Sequence, residues 1–383
     1  MEITGIICEY NPLHLGHQKQ LDIIKAEKGE NSGIVCIMSG NFVQRGAPSI
    51  LEKGLRAKAA ILCGADLVLE LPVTAALSSA EGFAHEGVRL LAPFCDNLCF
   101  GAETANGDAL LRTAEALLSP AFPPALRTEL DKGLSFPAAR QAALESLGID
   151  SSLLTSPNNI LAVEYCKAIL SQNAAMKPFP ILREGGYHET MADPENPSAT
   201  AVRALMVQGG NWLDFVPAEA QKIFQSGVIH TKRAGERAML ARLRTMTDEE
   251  FEAVPYGSEG LWRKLMHAAR SEATVVEIAL AVKSKRYTRS RIDRMILCAF
   301  LGLTQEQLNT PAPYARVLAF NDKGREILKI ARLHGKYPNI GEKIDHPYQQ
   351  IETRCGDLYA LFAEKSPEPP GMESKQRIYY HHT

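Results

Sequence analysis

Apolar runs of strand length alternate with amphipathic stretches through the first half of the chain. The opening run ITGIIC is short, apolar and rich in β-branched residues, which predicts a buried strand. HQKQLDIIKAE, from His17 onward, sets Leu21, Ile24 and Ala26 on one helix face. SGIVCIMSG then reads as a strand, EKGLRAKAAILCGA as a helix, DLVLELP as a strand, GFAHEGVRLLAPF as a helix and NLCFGAE as a strand ending near glycine. A helical insertion follows from about residue 108 to 147, broken by the proline-rich SPAFPPAL. Next come a helix behind Pro157 and Asn158, a strand in PFPILREGGYHE and a helix capped by Ser198. Strands separated by helical crossovers predict an α/β fold on a parallel sheet.

Beyond Asn211 the strand signals thin out, and PAEAQKIFQSG, ERAMLARLRTM, LWRKLMHAARS and TVVEIALAVKSK all read as amphipathic helices. In PYARVLAFNDKGREILKIARL, Asp322, Lys323 and Gly324 separate two apolar runs, which predicts one short strand before a helix. Gly209, Gly210 and Pro217 punctuate the change of pattern. The expected organisation is a first domain over residues 1–215 and a mainly helical region over 216–383. The polar, proline-rich EKSPEPPGMESKQRIYYHHT at the end reads as a loosely ordered tail.

Composition adds little until charge is divided by segment. The 45% hydrophobic content is interrupted everywhere by charges, and no apolar stretch approaches the roughly 18 residues of a membrane helix. With no basic leader before an apolar block, the expectation is a cytoplasmic protein without a membrane partner. Eight scattered cysteines read as buried free thiols of a reducing compartment. The net charge is only −2, yet residues 1–221 carry 16 basic and 25 acidic side chains, whereas residues 222–294 carry 15 and 9. The second segment is therefore positive by 6, and a positive face attracts phosphate backbones.

The candidate chemistry gathers where predicted strands end. EYNPLHLGH follows the first strand and runs into a helix start, where unpaired N–H groups and the helix dipole favour an anion. Gly16 allows close backbone approach, and His14 and His17 are placed to donate to phosphoryl oxygens. A surface histidine pair or half of a metal site is the alternative, although no HExxH or paired CxxC accompanies it. Asn41, Gln44 and Arg45 follow the second strand, and Gly101 and Glu103 end the strand NLCF. Asn158 and Asn159 open a helix, and Arg183, Glu184, Gly185 and Gly186 follow PFPIL. Ser198, Thr200 and Arg203, in SATAVR, bring hydroxyls and a guanidinium to one helix start, suited to a phosphate clamp or to no more than a capped helix with a surface arginine. Ligands of parallel α/β sheets bind at such strand ends.

HLGH, with SATAVR downstream, resembles the paired signatures of the HIGH-motif nucleotidylyltransferase superfamily, which implies a Rossmann-like catalytic domain. More closely, GIICEYNPLHLGH, MSGNFVQRGAPS, SPNNILAVEY, SATAVR, YTRSRIDR and FNDKGREIL resemble segments of the bacterial tRNA(Met) cytidine acetate ligase (TmcAL) family, from residue 5 to about 330. The resemblance implies activation of acetate with ATP and Mg²⁺ as acetyl-adenylate, then acetylation of the 4-amino group of the wobble cytidine of elongator tRNA(Met). It implies ATP contacts from Ile7, Cys8, Glu9, Tyr10, Asn11, Pro12, Leu13, His14, Leu15, Gly16, His17, Gln18, Lys19 and Gln20, joined by Gly101, Asn159 and Arg183. His14, His17, Ser198, Thr200 and Arg203 are the expected catalytic residues, with His17, read as closer to the helix start, nearest the leaving phosphates. Some superfamily relatives carry a basic residue in the middle of the second signature, where Ala201 and Val202 stand here.

Two other functions remain open from the residues: transfer of a nucleotide to a small metabolite, or RNA binding without catalysis. KSKRYTRSRIDR bears on the choice, since Lys283, Lys285, Arg286, Arg289, Arg291 and Arg294 surround Tyr287 as phosphate contacts around a base-stacking ring would. A solvated helix face produces the same pattern. Glu103 and Glu184 are candidates to hold magnesium or the ribose, and equally for ordinary loop carboxylates.

Overall fold

A computed structural model describes residues 1–183, 197–284 and 287–382, so Glu184, Gly185, Gly186, Lys285 and Arg286 lie outside the described residues. The apolar runs become strands β1 (Ile3–Cys8), β2 (Gly33–Ser39), β3 (Leu67–Leu71), β4 (Asn97–Ala102) and β5 (Lys177–Leu182). Two more come from the far end of the chain, β6 (Val317–Asn321) and β7 (Tyr379–His381). The order is β5-β4-β1-β2-β3-β6-β7. Within this sheet the described pairings are parallel except β3 with β6, and a separate antiparallel hairpin, Phe42–Val43 with Ala47–Pro48, follows β2. Five buried residues of the six in β1 and all seven of β2 reflect a sheet covered on both faces.

Helices α1 (Leu15–Lys28) and α2 (Lys53–Leu62) cover one face, burying Leu21, Ile24, Ala57 and Ala60 against Ile6, Cys36 and Val68. Helices α3 (Ala80–Leu91) and α4 (Pro157–Ser171) cover the other, with Val88, Leu91 and Val163 against Ile7, Val35 and Leu98. From β1 the chain runs outward to β2 and β3, then returns to the opposite side of β1 for β4 and β5. The strand order reverses between β1 and β4, and a crevice opens at the carboxyl ends of strands where such a reversal occurs. The insertion forms three helices, Gly107–Leu118, Phe122–Asp131 and Phe136–Ser146.

The C-terminal half is mainly helical, with a core that includes Met239, Leu265, Ile278, Met295 and Phe300 and takes in Phe42 and Leu77 from the first half. Its last part returns to the sheet. Asp66 draws β6 in: its carboxylate accepts from Ile34 N and from Asn321 Nδ2, each at 2.8 Å, and its carbonyl accepts from Asn321 N at 3.0 Å. Gly324 is required just beyond, because a Cβ there would overlap the Asp66 carbonyl. The tail expected to be loose instead pairs Tyr379 to His381 with Ala319 to Asn321. Composition misled because backbone pairing to an open sheet edge needs no apolar run.

A buried ionic cluster ties the tail down. Lys53 pairs with Glu70 (2.8 Å) and with Glu373, while Arg316 pairs with Glu70 (2.8 Å), Glu352 (3.3 Å) and Glu373 (2.5 Å). All five side chains are buried.

Candidate active site

Between β1 and α1 the chain makes a tight turn, with Tyr10 in the left-handed region (φ 42°) and a cis Asn11–Pro12 peptide. Tyr10 and Leu13 are buried, and Ile50 N donates to Asn11 Oδ1 at 2.7 Å. Helix α1 begins two residues earlier than expected, at Leu15, with His14 as its N-cap, so His14 and not His17 stands closer to the helix start. His14 Nδ1 accepts from Gly16 N at 3.1 Å, and His14 N donates to His17 Nδ1 at 3.2 Å. The two histidines thus cap their own helix reciprocally, as a Ser/Glu capping box does.

That arrangement fixes the chemistry of both rings. With each Nδ1 accepting, the neutral imidazole carries its proton on Nε2, leaving two N–H donors. The rings lie 3.8 Å apart, with Tyr10 5.0 Å from His17. Burial, then the neighbouring His17, Arg183 and Arg203, holds His14 well below the usual histidine range, and burial with Arg183 takes His17 down to about 3. Both are uncharged donors at neutral pH.

Three arginines organise the surroundings. Arg203 Nη1 donates to Asn11 O at 2.7 Å and its Nη2 to Thr200 Oγ1 at 3.1 Å, so the helix α5 (Ala199–Gln208) is tied to the histidine turn. Ser198 caps α5, its hydroxyl accepting from Ala201 N at 3.1 Å. Arg183, at the end of β5, donates to Asn158 Oδ1 at 3.3 Å and flanks Gly101. Arg56 is fully buried and was not anticipated from the sequence: it donates to Leu51 O (2.9 Å), Glu9 O (2.5 Å), Ser39 O (3.1 Å) and Gly40 O. It thereby clasps the carboxyl ends of β1 and β2 from below. Nothing but its central position in an apolar helix face distinguished it from a surface arginine.

The remaining expected site residues divide. Asn159 is buried, its Oδ1 accepting from Thr104 N at 3.0 Å. Glu103 accepts from Asn158 N, Asn158 Nδ2 and Asn159 N (3.2, 2.8 and 2.7 Å), so its carboxylate caps α4. Cys8, Leu15, Gly16 and Lys19 are at least partly open, and Pro12 is buried in the turn. Ile7 and Leu13 are core side chains, so these positions offer only backbone to a ligand. Gln18 and Gln20 reach sideways to Cys63 O (2.9 Å) and Cys99 Sγ (3.4 Å).

The basic segment adjoins this crevice through the hairpin that follows β2. Gly46, at φ 73°, sits so close to Asp293 and Arg294 that a Cβ would collide with their backbone. Arg294 opens the contact: it is buried, donates to Gln44 O at 3.3 Å and lies over the Tyr256 ring at 5.1 Å. It therefore supports the hairpin and is not on an outer face, as its place in a charge run suggested. On helix α6 (Arg289–Leu301), Arg289 is half-exposed and bonded to Asp293, whereas Arg291 stacks on Tyr287 at 4.9 Å and donates to Tyr256 O and Ser258 Oγ, each at 3.1 Å. Tyr287 donates to Glu259 at 2.6 Å, and Lys283 is exposed.

Comparison with known proteins follows the same lines. The family model described as HIGH Nucleotidyl Transferase matches residues 1–373. A curated tRNA(Met) cytidine acetate ligase of Clostridium tetani is 38% identical, over 95% of this chain and 96% of the relative. The chain belongs to the tRNA(Met) cytidine acetate ligase family. A crystal structure of Thermotoga maritima TmcAL without ligand superposes over 100% of both chains at 29% identity, with a TM-score of 0.90. A second crystal form of that protein, bound with alpha-thio ATP, gives a TM-score of 0.87 over the same coverage and identity. The fold expectation, a HIGH-type α/β catalytic region followed by helices, is met.

Among the described residues no helix is long and apolar enough to cross a membrane. All eight cysteines are free thiols, and seven are buried.

Proposed function

We propose that this chain activates acetate with ATP as acetyl-adenylate and passes the acetyl group to the 4-amino group of the wobble cytidine of elongator tRNA(Met), in the cytoplasm. The observation that carries the reading is the Arg203 bond to Asn11 O, which brings both signature segments into the crevice between β1 and β4. The catalytic part would comprise residues 1–215 with β6 and β7 added, and the helical region from residue 216 the RNA-binding part.

Acetate must approach a polyanion, and pyrophosphate must leave it, so the site's work is to neutralise charge at the phosphates. The Nε2–H groups of His14 and His17 and the guanidinium of Arg203 would be the donors for this, since the N–H groups of Gly16, His17 and Gln18 at the start of α1 are taken up by the His14 cap. The nucleotide would arrive as its magnesium complex. Among the described residues no group of three or more His, Cys, Asp or Glu side chains is arranged to hold a metal ion, and Glu103 is occupied as a cap. This fits an ion carried on phosphates and water, as Mg²⁺ prefers, better than one held by the protein. Arg183 and Asn159, at the ends of β5 and α4, would border the nucleoside.

For the acceptor, the candidates are Lys283, Tyr287 and Arg289, with Lys285 and Arg286 outside the described residues; support comes from the same basic segment's Asp293 and Arg294, which touch Gly46 of the hairpin. A wobble base in an anticodon loop is already partly unpaired, which makes its presentation to the site inexpensive.

The test is to incubate the protein with ATP, labelled acetate and total bacterial tRNA and follow label into RNA. Label in methionine tRNA that His17→Ala abolishes is the expected result. Pyrophosphate release without labelled RNA would point to a small-molecule transferase, and RNA binding without turnover to a non-catalytic module.

A further inference from the structure

One carboxylate in the crevice, expected among the ATP contacts, keeps an oxygen that no described hydrogen bond uses. Glu9 directly follows β1, and its Oε1 accepts from Gln44 N at 2.7 Å. Among the described residues no hydrogen bond or ion pair engages Oε2. Arg45 from the hairpin, Arg56 from α2 and Arg203 from α5 face it at longer range, as do the Cys8 thiol beside it and Tyr165 of α4, whose hydroxyl its charge helps to push up. A carboxylate is a poor neighbour for polyphosphate, and Oε2, on a side chain that stays partly open to solvent, suits a ligand that donates.

Position identifies the donor. On one side of Glu9 stands the Arg203–Asn11 link of the phosphate site, and on the other the hairpin whose Gln44 is held from both sides, by Glu9 and by Arg294 of the basic helix. Glu9 therefore sits on the seam between an adenylate and an RNA acceptor. The exocyclic amino group of cytosine donates to a carboxylate, whereas uracil offers a carbonyl oxygen at the same place and would be repelled.

We propose that Glu9 is the catalytic base of the acetyl-transfer step, its Oε2 first accepting from the cytidine 4-amino group and then taking that group's proton. This rests on the function proposed above. The amino nitrogen forms a bond to the acetyl carbonyl carbon, the bond from that carbon to the phosphate oxygen breaks, and its electron pair leaves with AMP. The proton passes from nitrogen to Glu9 and then to water. Burial raises the proton affinity of Glu9 and outweighs the Gln44 N–H and the three arginines, in the direction a base needs.

The test separates the two half-reactions in Glu9→Gln. Acetate-dependent ATP–pyrophosphate exchange reads adenylation, and single-turnover transfer from acetyl-adenylate to methionine tRNA reads the second step. Transfer should fall at least about twentyfold more than exchange does, whatever share of ATP binding the side chain carries, with the acid limb of the wild-type transfer profile lost. Hydroxylamine carries a free lone pair at neutral pH and should trap the adenylate equally fast in both proteins. Equal losses in exchange and transfer, or transfer within about threefold of wild type, would overturn the inference. Should Glu9→Gln not fold, Glu9→Asp should slow transfer at least tenfold more than exchange, and parallel effects overturn the proposal. A wild-type protein lacking acetate-dependent exchange defeats the proposed function itself, before any variant is compared.

Discussion

Arg56→Met tests whether the crevice is built on a buried cation. The substitution keeps most of the apolar stem and removes a guanidinium that serves four backbone carbonyls, those of Glu9, Ser39, Gly40 and Leu51. Each carbonyl left dry costs about 1–3 kcal/mol. The guanidinium's own burial, which already lowers its proton affinity, is relieved at the same time and offsets part of this. Leu51 O keeps the Ser49 hydroxyl as a donor, so three acceptors at the lower value give a net loss of about 3 kcal/mol. With a urea dependence of about 3 kcal/mol/M for a chain of this size, the unfolding midpoint should fall by roughly 1 M. Arg56→Lys keeps the charge but reaches fewer carbonyls, so it should lose about half as much. Because Glu9 and Gly40 flank the crevice, ATP affinity should fall in the folded variant too. A midpoint within about 0.3 M of wild type for Arg56→Met would refute the reasoning.

In the ionic cluster, Glu352 is pushed up to about 7 by burial, so the folded state binds its proton more tightly than the unfolded chain does. Its share of stability is present below the ordinary carboxylate range near 4.5 and is lost as pH rises through about 7, and Glu352→Gln should flatten that loss in urea titrations at several pH values. His14 and His17 should give no titration limb in kcat/KM for adenylation between about pH 5 and 8; a limb near pH 6.5 that His17→Ala removes would show a charged donor instead. Replacing Lys283 and Arg289 by alanine should weaken tRNA binding and lower its salt slope by up to about 2, with ATP affinity retained, read by filter binding across a salt series. Arg291→Ala should act differently, loosening the Tyr256 and Ser258 loop as well, visible as a lower melting temperature.

Much of the α/β half is legible in the sequence because its cues are local. ITGIIC, SGIVCIMSG and DLVLELP each bury a continuous apolar run, and Ser198 announces its helix by a cap. His14 and His17 are found by their place after the first strand, although the start of α1 depends on their side chains acting as caps, which residue type does not disclose. Arg56 and Arg294 are hidden by the same ambiguity in opposite guises: one lies in an apolar helix and the other in a basic run, yet both are buried among carbonyls or rings. β7 carries no signal of its own, since its pairing is set by an edge that another strand provides.

The antiparallel strand β6 has a bearing on how the protein is made. On the ribosome β3 is complete once Leu71 emerges, but its outer edge stays unpaired until Val317 follows. At synthesis rates of about 5–20 residues per second, that interval is on the order of ten to fifty seconds. An apolar strand edge is a template for unwanted pairing while it is open. The nascent chain should therefore depend on a chaperone over that interval, and a transcript truncated before Val317, in which the β3 edge never closes, should yield insoluble product.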